Sequence, residues 1–173
     1  MDNAPAIELR GISKRFGSIQ ANKDISLKVY RGEILSILGE NGSGKTTQIQ
    51  LLAEYCKEKG LKTIATREPG GTPISEKIRE IILDNRNKEM APAAEALLYA
   101  ASRAQLVDQV IKPALEEGTI VLSDRFMDSS IAYQGYGRGL GDGVRTINEF
   151  AIQSLQPDMT FFMNVDPAVG KKR

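Results

Sequence analysis

The residues best suited to chemistry stand in one loop near residue 40. The loop matches the pattern G-x-x-x-x-G-K-[ST] at each fixed position and reads Gly39-Glu40-Asn41-Gly42-Ser43-Gly44-Lys45-Thr46. Its glycines let the backbone wrap around a phosphate, with successive N–H groups pointing inward. Lys45 is expected to reach the β and γ phosphates of a nucleoside triphosphate and Thr46 to ligate Mg²⁺, with Thr47 completing the contacts. The loop predicts triphosphate binding, and the alternative is a glycine-rich turn that binds nothing.

The residue types that are missing limit the chemistry further. The chain has 173 residues with no histidine and one cysteine, Cys56, and its 23 basic and 22 acidic residues leave a formal net charge of +1. Ser-His-Asp catalysis, Cys-His catalysis and His-bound zinc are therefore excluded. The lone cysteine favours a reducing, cytoplasmic setting. The charge balance predicts no nucleic-acid partner, and without an apolar run of about 18 residues or a signal peptide no membrane contact is expected.

The order of the expected elements predicts how the loop is positioned. Alternating apolar and polar residues indicate half-buried strands around 7–9 and 25–29, and an apolar run indicates a buried strand at 33–38. Further strands are expected at 62–66, 119–123 and 159–165, and helices at 46–59, 74–82, 92–110 and 144–155. Pro113 is expected to kink or end the third helix. Strand–helix alternation predicts an α/β fold with three αβα layers around a mostly parallel sheet, plus a small N-terminal antiparallel β unit.

Several further segments carry polar residues in recognisable motifs. They read Thr66-Arg67-Glu68-Pro69-Gly70-Gly71-Thr72, Leu97-Leu98-Tyr99-Ala100-Ala101-Ser102-Arg103, Asp124-Arg125-Phe126, Asp128-Ser129-Ser130-Ile131-Ala132-Tyr133-Gln134-Gly135, Pro157-Asp158-Met159-Thr160 and Val165-Asp166-Pro167. Together with the loop, these segments resemble the thymidylate kinase family from about Gly39 to Arg173. The resemblance implies a P-loop NTP hydrolase fold, ATP-dependent phosphorylation of dTMP to dTDP with Mg²⁺, and a homodimer, because the family is commonly dimeric.

The resemblance assigns residues to the phosphates. Arg125 is expected to bridge the dTMP phosphate and the transferred phosphoryl group, since a guanidinium offers its donors in a planar fork. Asp124 is expected to help hold Mg²⁺ through water, and Arg79 to hold the dTMP phosphate. With Lys45, Arg125 and Asp124 form the expected catalytic set. The alternatives are a strand-end ion pair between Asp124 and Arg125, and a solvated helical arginine at position 79.

The resemblance also assigns residues to the nucleoside. Tyr99 is expected to stack on thymine, Arg103 to donate to a base carbonyl, and Gln134 to read the hydrogen-bonding edge of the base. Glu68 is expected near the sugar or the metal, and Ser130 to make a minor polar contact. The i,i+4 spacing of Tyr99 and Arg103 fits a helix face packed in the core equally well. Glu68 likewise fits a loop carboxylate that caps the following turn.

The chain departs from the family pattern in two places. Where the family usually has a carboxylate in the loop, this chain has Asn41, which forms hydrogen bonds but carries no charge. The loop also holds Ser43 rather than a basic residue, and the chain stops at Arg173, where the family's lid begins. Without the arginine that such a lid supplies, we expect nucleotide binding with slow or absent turnover.

Residues 1–38 resemble a different family. Three segments, 10–17, 21–27 and 32–34, are similar to the start of a sugar-type ABC transporter ATPase, in which Phe16 would stack on adenine. This resemblance divides the chain into an N-terminal β segment, 1–38, and a kinase-like domain, 39–173, as in a chimera. An ABC-type ATPase and a non-catalytic nucleotide-binding fragment are therefore alternative functions. The missing LSGGQ-like signature and switch histidine argue against the ABC-type ATPase.

Overall fold

The computed structural model describes residues 4–16, 19–39 and 41–165. The strands of this part are β1 (Ile7–Phe16), β2 (Ile19–Val29), β3 (Ile34–Gly39), β4 (Thr63–Arg67), β5 (Ile120–Asp124) and β6 (Met159–Met163). The α-helices are α1 (Lys45–Glu58), α2 (Pro73–Leu83), α3 (Pro92–Leu106), α4 (Lys112–Glu116), α5 (Met127–Ser130) and α6 (Gly143–Ile152). Two π-helical segments, Val107–Ile111 and Ile131–Gly137, follow α3 and α5.

Four strands form a parallel sheet in the order β4-β5-β3-β6. Ile34 of β3 lies opposite Val121 of β5, and Leu35 lies opposite Met159 of β6. β3 and β5 read as nearly continuous apolar runs and are almost wholly buried, because helices or loops cover both faces of such a sheet. The predicted parallel sheet, with β3 inside and the strand after α1 at an edge, is confirmed.

Alternate residues of the interior strands face two separate cores. Leu122 packs in the core that contains Ile49 of α1, whereas its neighbour Val121 packs with Leu106 of α3 and Ile152 of α6. The sheet therefore lies between two layers of helices. This is the three-layer αβα arrangement expected from the sequence.

β1 and β2 form a separate two-stranded antiparallel sheet, which confirms the expected N-terminal β unit. Its base is anchored, because Ile7 and Val29 lie opposite each other and are buried in the same core as Leu35. The domain boundary expected at residue 38 falls inside β3, which belongs to the parallel sheet. The side chain of Phe16, expected to stack on adenine, lies outside the described part of the chain.

The helical path that begins with α3 continues past Pro113 to Glu116, which the sequence did not predict. A π-helical turn, Val107–Ile111, ends two residues before the proline. The wider turn shifts the hydrogen-bond register, so Pro113 falls in the first turn of α4, where its missing N–H is not needed. A proline is thereby accommodated without a break in the helical path.

The segment after β5 is also helical, although no helix was predicted there. α5 leads into the second π-helical segment, Ile131–Gly137, which ends near the start of α6. Such π turns often occur at functional sites. None of the described helices is both long and apolar enough to cross a membrane.

Candidate active site

A cleft of about 1440 Å³ opens at the carboxyl ends of the parallel strands. β3 leads into the phosphate loop there, and β4 and β5 end at Arg67 and Asp124. This edge of an open parallel sheet is the usual ligand site. The predicted site residues that line the cleft are Asn41, Gly42, Gly44, Lys45, Thr46, Thr47, Glu68, Arg79, Tyr99, Arg103, Asp124, Arg125, Ser130 and Gln134.

The phosphate loop depends on glycines in backbone conformations that other residues avoid. Gly39 has φ +153°, and a Cβ there would lie 2.9 Å from the carbonyl oxygen of Met163. Gly42 and Gly44 have φ values of +80° and +92°. α1 begins directly afterwards at Lys45, so the positive end of its dipole lies at the loop. The local sequence therefore builds, largely from backbone, a loop that is suited to bind an anion.

Lys45 is buried beside this loop. Its Nζ donates a hydrogen bond to the carbonyl oxygen of Gly39 at 2.8 Å, which keeps the ammonium group at the cleft. Among the remaining predicted loop residues, Ser43 is buried and does not line the cleft. Glu40 lies outside the described residues.

Thr46 and Asp124 form the pair predicted to hold Mg²⁺. The Thr46 hydroxyl donates to Asp124 Oδ2 at 2.7 Å. Asp124 Oδ1 is buried and has no hydrogen-bond partner within the described residues. Mg²⁺ prefers oxygen ligands and uses one or two protein groups, completing its shell with water and substrate phosphates. The residues present therefore fit the ion.

Arg125 connects the phosphate loop to the opposite wall of the cleft. Its φ of +76° lies in the left-handed region, where strain at a non-glycine residue costs about 1–3 kcal/mol. The Ser123 hydroxyl supports this turn by donating to the Arg125 carbonyl oxygen at 2.7 Å. The guanidinium donates to Asn41 Oδ1 and lies 5.5 Å from the centre of the Tyr133 ring. Asp124 pairs with Thr46 instead, so the alternative ion pair between Asp124 and Arg125 is not formed.

Arg79 is half-buried and anchored, rather than a solvated helical arginine. Its Nη1 donates to the carbonyl oxygen of Pro69 at 2.7 Å, in the turn that follows β4. Glu76, also on α2, contacts the same turn: its Oε1 accepts a hydrogen bond from the Gly71 N–H at 2.7 Å. The turn 67–71 is thus fixed on α2, and Arg79 lines the cleft beside it.

Arg103 joins three other parts of the fold beneath the cleft and is only 2% exposed. Its Nε and Nη2 contact Glu68 Oε2 at 2.7 and 2.6 Å, and both Nη atoms donate to Ser130 Oγ at 3.2 Å. Nη1 also donates to Asn148 Oδ1. Every guanidinium nitrogen therefore has an acceptor already, and the contacts to Ser130 are the longest.

Glu68 is the buried counter-charge of Arg103, not a cap of the following turn. Burial raises the pKa of the Glu68 carboxyl, and the Arg103 guanidinium opposes that rise. Glu68 Oε1 is buried without a hydrogen-bond partner in the described part of the chain. Removing one partner of a buried ion pair lowers the free energy of unfolding by several kcal/mol. This pair therefore links the cleft to the stability of the fold.

Tyr99 lies half-buried on α3, one turn before Arg103, and lines the cleft. Burial raises the pKa of its phenol, and the nearby Glu95 carboxylate adds to the rise. The ring is therefore neutral at pH 7. A neutral aromatic face on the wall of a cleft suits stacking on a planar ligand.

Gln134 lies in the π-helical segment Ile131–Gly137 and reaches back to α3. Its Nε2 donates to Glu95 Oε1 at 2.9 Å, and Arg138 Nη2 donates to Glu95 Oε2 at 2.9 Å. Burial alone would raise the pKa of Glu95, but these hydrogen bonds outweigh it and lower the pKa. Glu95 is therefore an anion held between Gln134 and Arg138.

Sequence reasoning missed Glu95 and Asn148, although a signal exists for each. Glu95 precedes Tyr99 and Arg103 at successive steps of four residues, which places all three on one stripe of α3. Asn148 is polar but stands on the apolar face of α6, four residues after Val144, and it is fully buried. Its Nδ2 donates to the Val144 carbonyl oxygen at 2.7 Å, which fixes the orientation of the amide.

The fold and site together define a P-loop nucleotide-binding protein with a second, arginine-lined pocket in the same cleft. A family model described as "Thymidylate kinase" matches residues 37–173. The chain belongs to the thymidylate kinase family, and it is a kinase that transfers a phosphoryl group. The resemblance read from the sequence motifs is thereby confirmed.

Individual relatives agree with this assignment. A thymidylate kinase of Exiguobacterium sp. (strain AT1b) is 53% identical over 143 residues, covering 82% of this chain and 68% of that protein. A thymidylate kinase of Halothermothrix orenii is 54% identical over 144 residues, covering 83% and 69%. The crystal structure of thymidylate kinase from Ehrlichia chaffeensis superposes with a TM-score of 0.72 at 38% identity, covering 81% of this chain and 80% of that one.

Proposed function

We propose that this chain transfers the γ-phosphoryl group of ATP to dTMP, giving dTDP and ADP. The observation that carries the proposal is one cleft that holds both a phosphate loop and an aromatic, arginine-lined pocket, with Arg125 between them. Phosphoryl transfer needs positioning and charge neutralisation more than covalent chemistry, so a chain without histidine is suited to it. An ABC-type motor is not favoured, because the family match covers residues 37–173.

The donor end of the reaction is assigned to the phosphate loop. Residues 39–47 hold the phosphates of ATP through backbone N–H groups, and Lys45 neutralises the β and γ phosphates. Thr46 and Asp124 would hold Mg²⁺, which supplies positive charge to the triphosphate when it is bound. The free Oδ1 of Asp124 supports this assignment, because it remains available to a hydrated ion.

The acceptor phosphate is assigned to two arginines. Arg79 donates a hydrogen bond from Nη1 to the Pro69 carbonyl oxygen, so its other N–H groups are available to an anion. Arg125 lies beside the loop and offers a planar fork to the phosphate of dTMP and to the group in transfer. The left-handed backbone of Arg125 supports a functional role, since such strain concentrates at active sites.

The base is assigned to the buried end of the cleft. Tyr99 stacks on thymine, and Gln134 reads its hydrogen-bonding edge. Arg103 contacts a base carbonyl by sharing the Nη donors that reach Ser130 at 3.2 Å. Glu68 balances the charge of Arg103 and orients its guanidinium toward the cleft.

Product analysis tests the function. Chromatography of a reaction with ATP, Mg²⁺ and dTMP should give dTDP and ADP in equal amounts, and no ADP above background without dTMP. Arg79→Gln should lower kcat/KM for dTMP by about tenfold or more, since a charge-assisted contact is lost. Lys77→Gln, an exposed change on the same helix, is the matched control and should match the unaltered chain. ADP formation that ignores dTMP would contradict the proposal.

We further propose that residues 1–38 and 39–173 are units of different origin, the first derived from a sugar-type ABC transporter ATPase. The separate β1–β2 sheet and a family match that begins at residue 37 support this division. Hydrogen exchange tests the division for β1 and β2, because β3 belongs to the parallel sheet: a separate β1–β2 unit should open at a lower free energy than that sheet. Opening of both sheets in one step would contradict it.

We also propose a cytoplasmic homodimer that acts on nucleotides without a nucleic-acid or membrane partner. Leu97 of α3 and Phe150 of α6 are 56% and 86% exposed, which supports a contact between two copies through these helices. Light scattering tests the assembly, and the mass of one chain at micromolar concentration would contradict it.

A further inference from the structure

We propose that Glu95 is a positioning residue that sets the base specificity of the cleft by orienting the amide of Gln134. In this arrangement Gln134 presents its carbonyl oxygen to the ligand. The cleft then selects a pyrimidine that carries N–H at ring position 3, such as thymine or uracil, over one with an unprotonated nitrogen there, such as cytosine. The inference rests on the proposed function, since it concerns the acceptor nucleotide of that reaction.

The first step is the contact between the two side chains. Gln134 is 5% exposed, so its amide has few available orientations. Its Nε2 donates to Glu95 Oε1 at 2.9 Å. An ionised carboxylate only accepts hydrogen bonds, whereas an amide has one donating and one accepting end. Glu95 therefore requires the NH₂ end of Gln134, and the carbonyl end is directed elsewhere.

The second step concerns that carbonyl oxygen. Gln134 lines the cleft. Among the described residues, several polar atoms are fully buried without a hydrogen-bond partner, but Gln134 Oε1 is not one of them. An accepting group there pairs with a ligand N–H. A ligand that presents a lone pair at the same place leaves both acceptors unpaired, which a buried site penalises strongly.

The third step is the rigidity of Glu95 itself. Arg138 Nη2 holds its second oxygen at 2.9 Å, and the side chain is 17% exposed. Rotation of the Gln134 amide by half a turn would set its carbonyl oxygen against this carboxylate. The charge of Glu95, rather than the packing of Gln134 alone, thus decides which end of the amide the ligand meets.

Calorimetric dissociation constants for dUMP and dCMP test the inference, because the two ligands differ in the base edge and share the missing methyl group. The unaltered chain should bind dUMP more tightly. In Glu95→Gln the new amide can donate or accept, so Gln134 can turn, and the preference for dUMP should fall about tenfold. Arg138→Ala keeps the charge of Glu95 but removes its second anchor, so it should lower the preference less than Glu95→Gln does. Glu89→Gln, the same change at an exposed loop residue, is the matched control.

The outcomes separate this inference from the proposed function. An unaltered chain that does not bind dTMP overturns both. A chain that binds dTMP but shows the same preference for dUMP in Glu95→Gln as before overturns the inference alone. Glu95→Ala provides a second variant, since it also frees the amide and should reduce the preference. Thermal melts confirm that each variant is folded. If Glu95 had only a structural role, its replacement would lower Tm without changing the preference for dUMP over dCMP.

Discussion

The two ends of the cleft are built in different ways. At the phosphate end, the site comes from one segment of the sequence, and the described residues, 39 and 41–47, supply most of it through their backbone. At the base end, Arg103 takes its partners from a turn, a short helix and α6, in the form of Glu68, Ser130 and Asn148. We therefore expect replacements of the non-glycine side chains at the phosphate end to affect folding less. At the base end, the contacts proposed to serve recognition are also the ones that stabilise the fold.

The largest expected effect belongs to the phosphate end. Lys45→Met keeps the aliphatic stem but removes the ammonium group, and turnover should fall on the order of 10³-fold, as when a preorganised transition-state donor is lost. Because the fold around the loop is set by backbone, Tm and the dissociation constant of dTMP should change little. Single-turnover kinetics measure the rate, thermal melts measure Tm, and calorimetry measures the dissociation constant of dTMP. If Lys45→Met instead lowered Tm strongly and left turnover intact, the phosphate end would serve stability rather than turnover, contrary to the comparison.

The next effect belongs to the base end and appears in stability. Arg103→Met leaves Glu68 buried without its counter-charge and should lower the free energy of unfolding by about 3–5 kcal/mol. The double variant with Glu68→Gln should recover part of this loss, because the buried charge is then removed. Denaturant titration measures the difference. Equal stability of Arg103→Met and the unaltered chain would show that the pair does not couple the site to folding.

A smaller effect is expected at Asn148, which holds Arg103 from α6. Asn148→Ala should lower stability by about 1–2 kcal/mol and raise KM for dTMP several-fold, because one guanidinium contact is lost. KM for ATP and kcat should change much less, since Asn148 does not reach the phosphate loop. Asn148→Asp retains an acceptor for Arg103 and should restore most of the affinity. Glu149→Ala, exposed on the same helix, is the control; if it raises KM for dTMP equally, the effect is not specific to Arg103.

The smallest effect is a pair of opposite pH slopes. Burial raises the pKa of Glu68 above 4.5 in the folded chain, so its contribution to stability is present below pH 4.5 and is lost as pH rises through the folded pKa. The partners of Glu95 lower its pKa, so its contribution is present above pH 4.5 and is lost as pH falls through the folded pKa. Glu68→Gln should remove the first slope and Glu95→Gln the second. Denaturant melts from pH 3 to 8 measure both slopes. The assignment would be contradicted if both variants changed the pH dependence of stability on the same side of pH 4.5.

The same contrast explains how much the sequence predicts. The phosphate loop follows from a contiguous motif, because glycines at fixed spacing determine the backbone directly. The order of β3, α1 and β4 could also be predicted, because the hydrophobic periodicity of each element is local in the sequence. Motif resemblance also predicted roles for Arg103 and Gln134, which line the same cleft only after folding.

The partners of these residues could not be predicted, because they come from distant segments. Asn148 lies 45 positions from Arg103 in the sequence, and no local pattern links the two. The π-helical segment that brings Gln134 to Glu95 was missed as well, since a single wide turn leaves little trace in periodicity. The turn before Pro113 was missed for the same reason.

A crossed calorimetric titration tests the separation of the two ends most directly. ATP with Mg²⁺ and dTMP are each titrated into the unaltered chain, Lys45→Met and Arg103→Lys, the last of which keeps the buried charge but loses the planar fork. Lys45→Met should weaken ATP binding while the dissociation constant of dTMP stays within about twofold, as for independent sites. Arg103→Lys should weaken dTMP binding by about tenfold or more and leave ATP binding unchanged. Loss of both ligands in both variants would contradict the account.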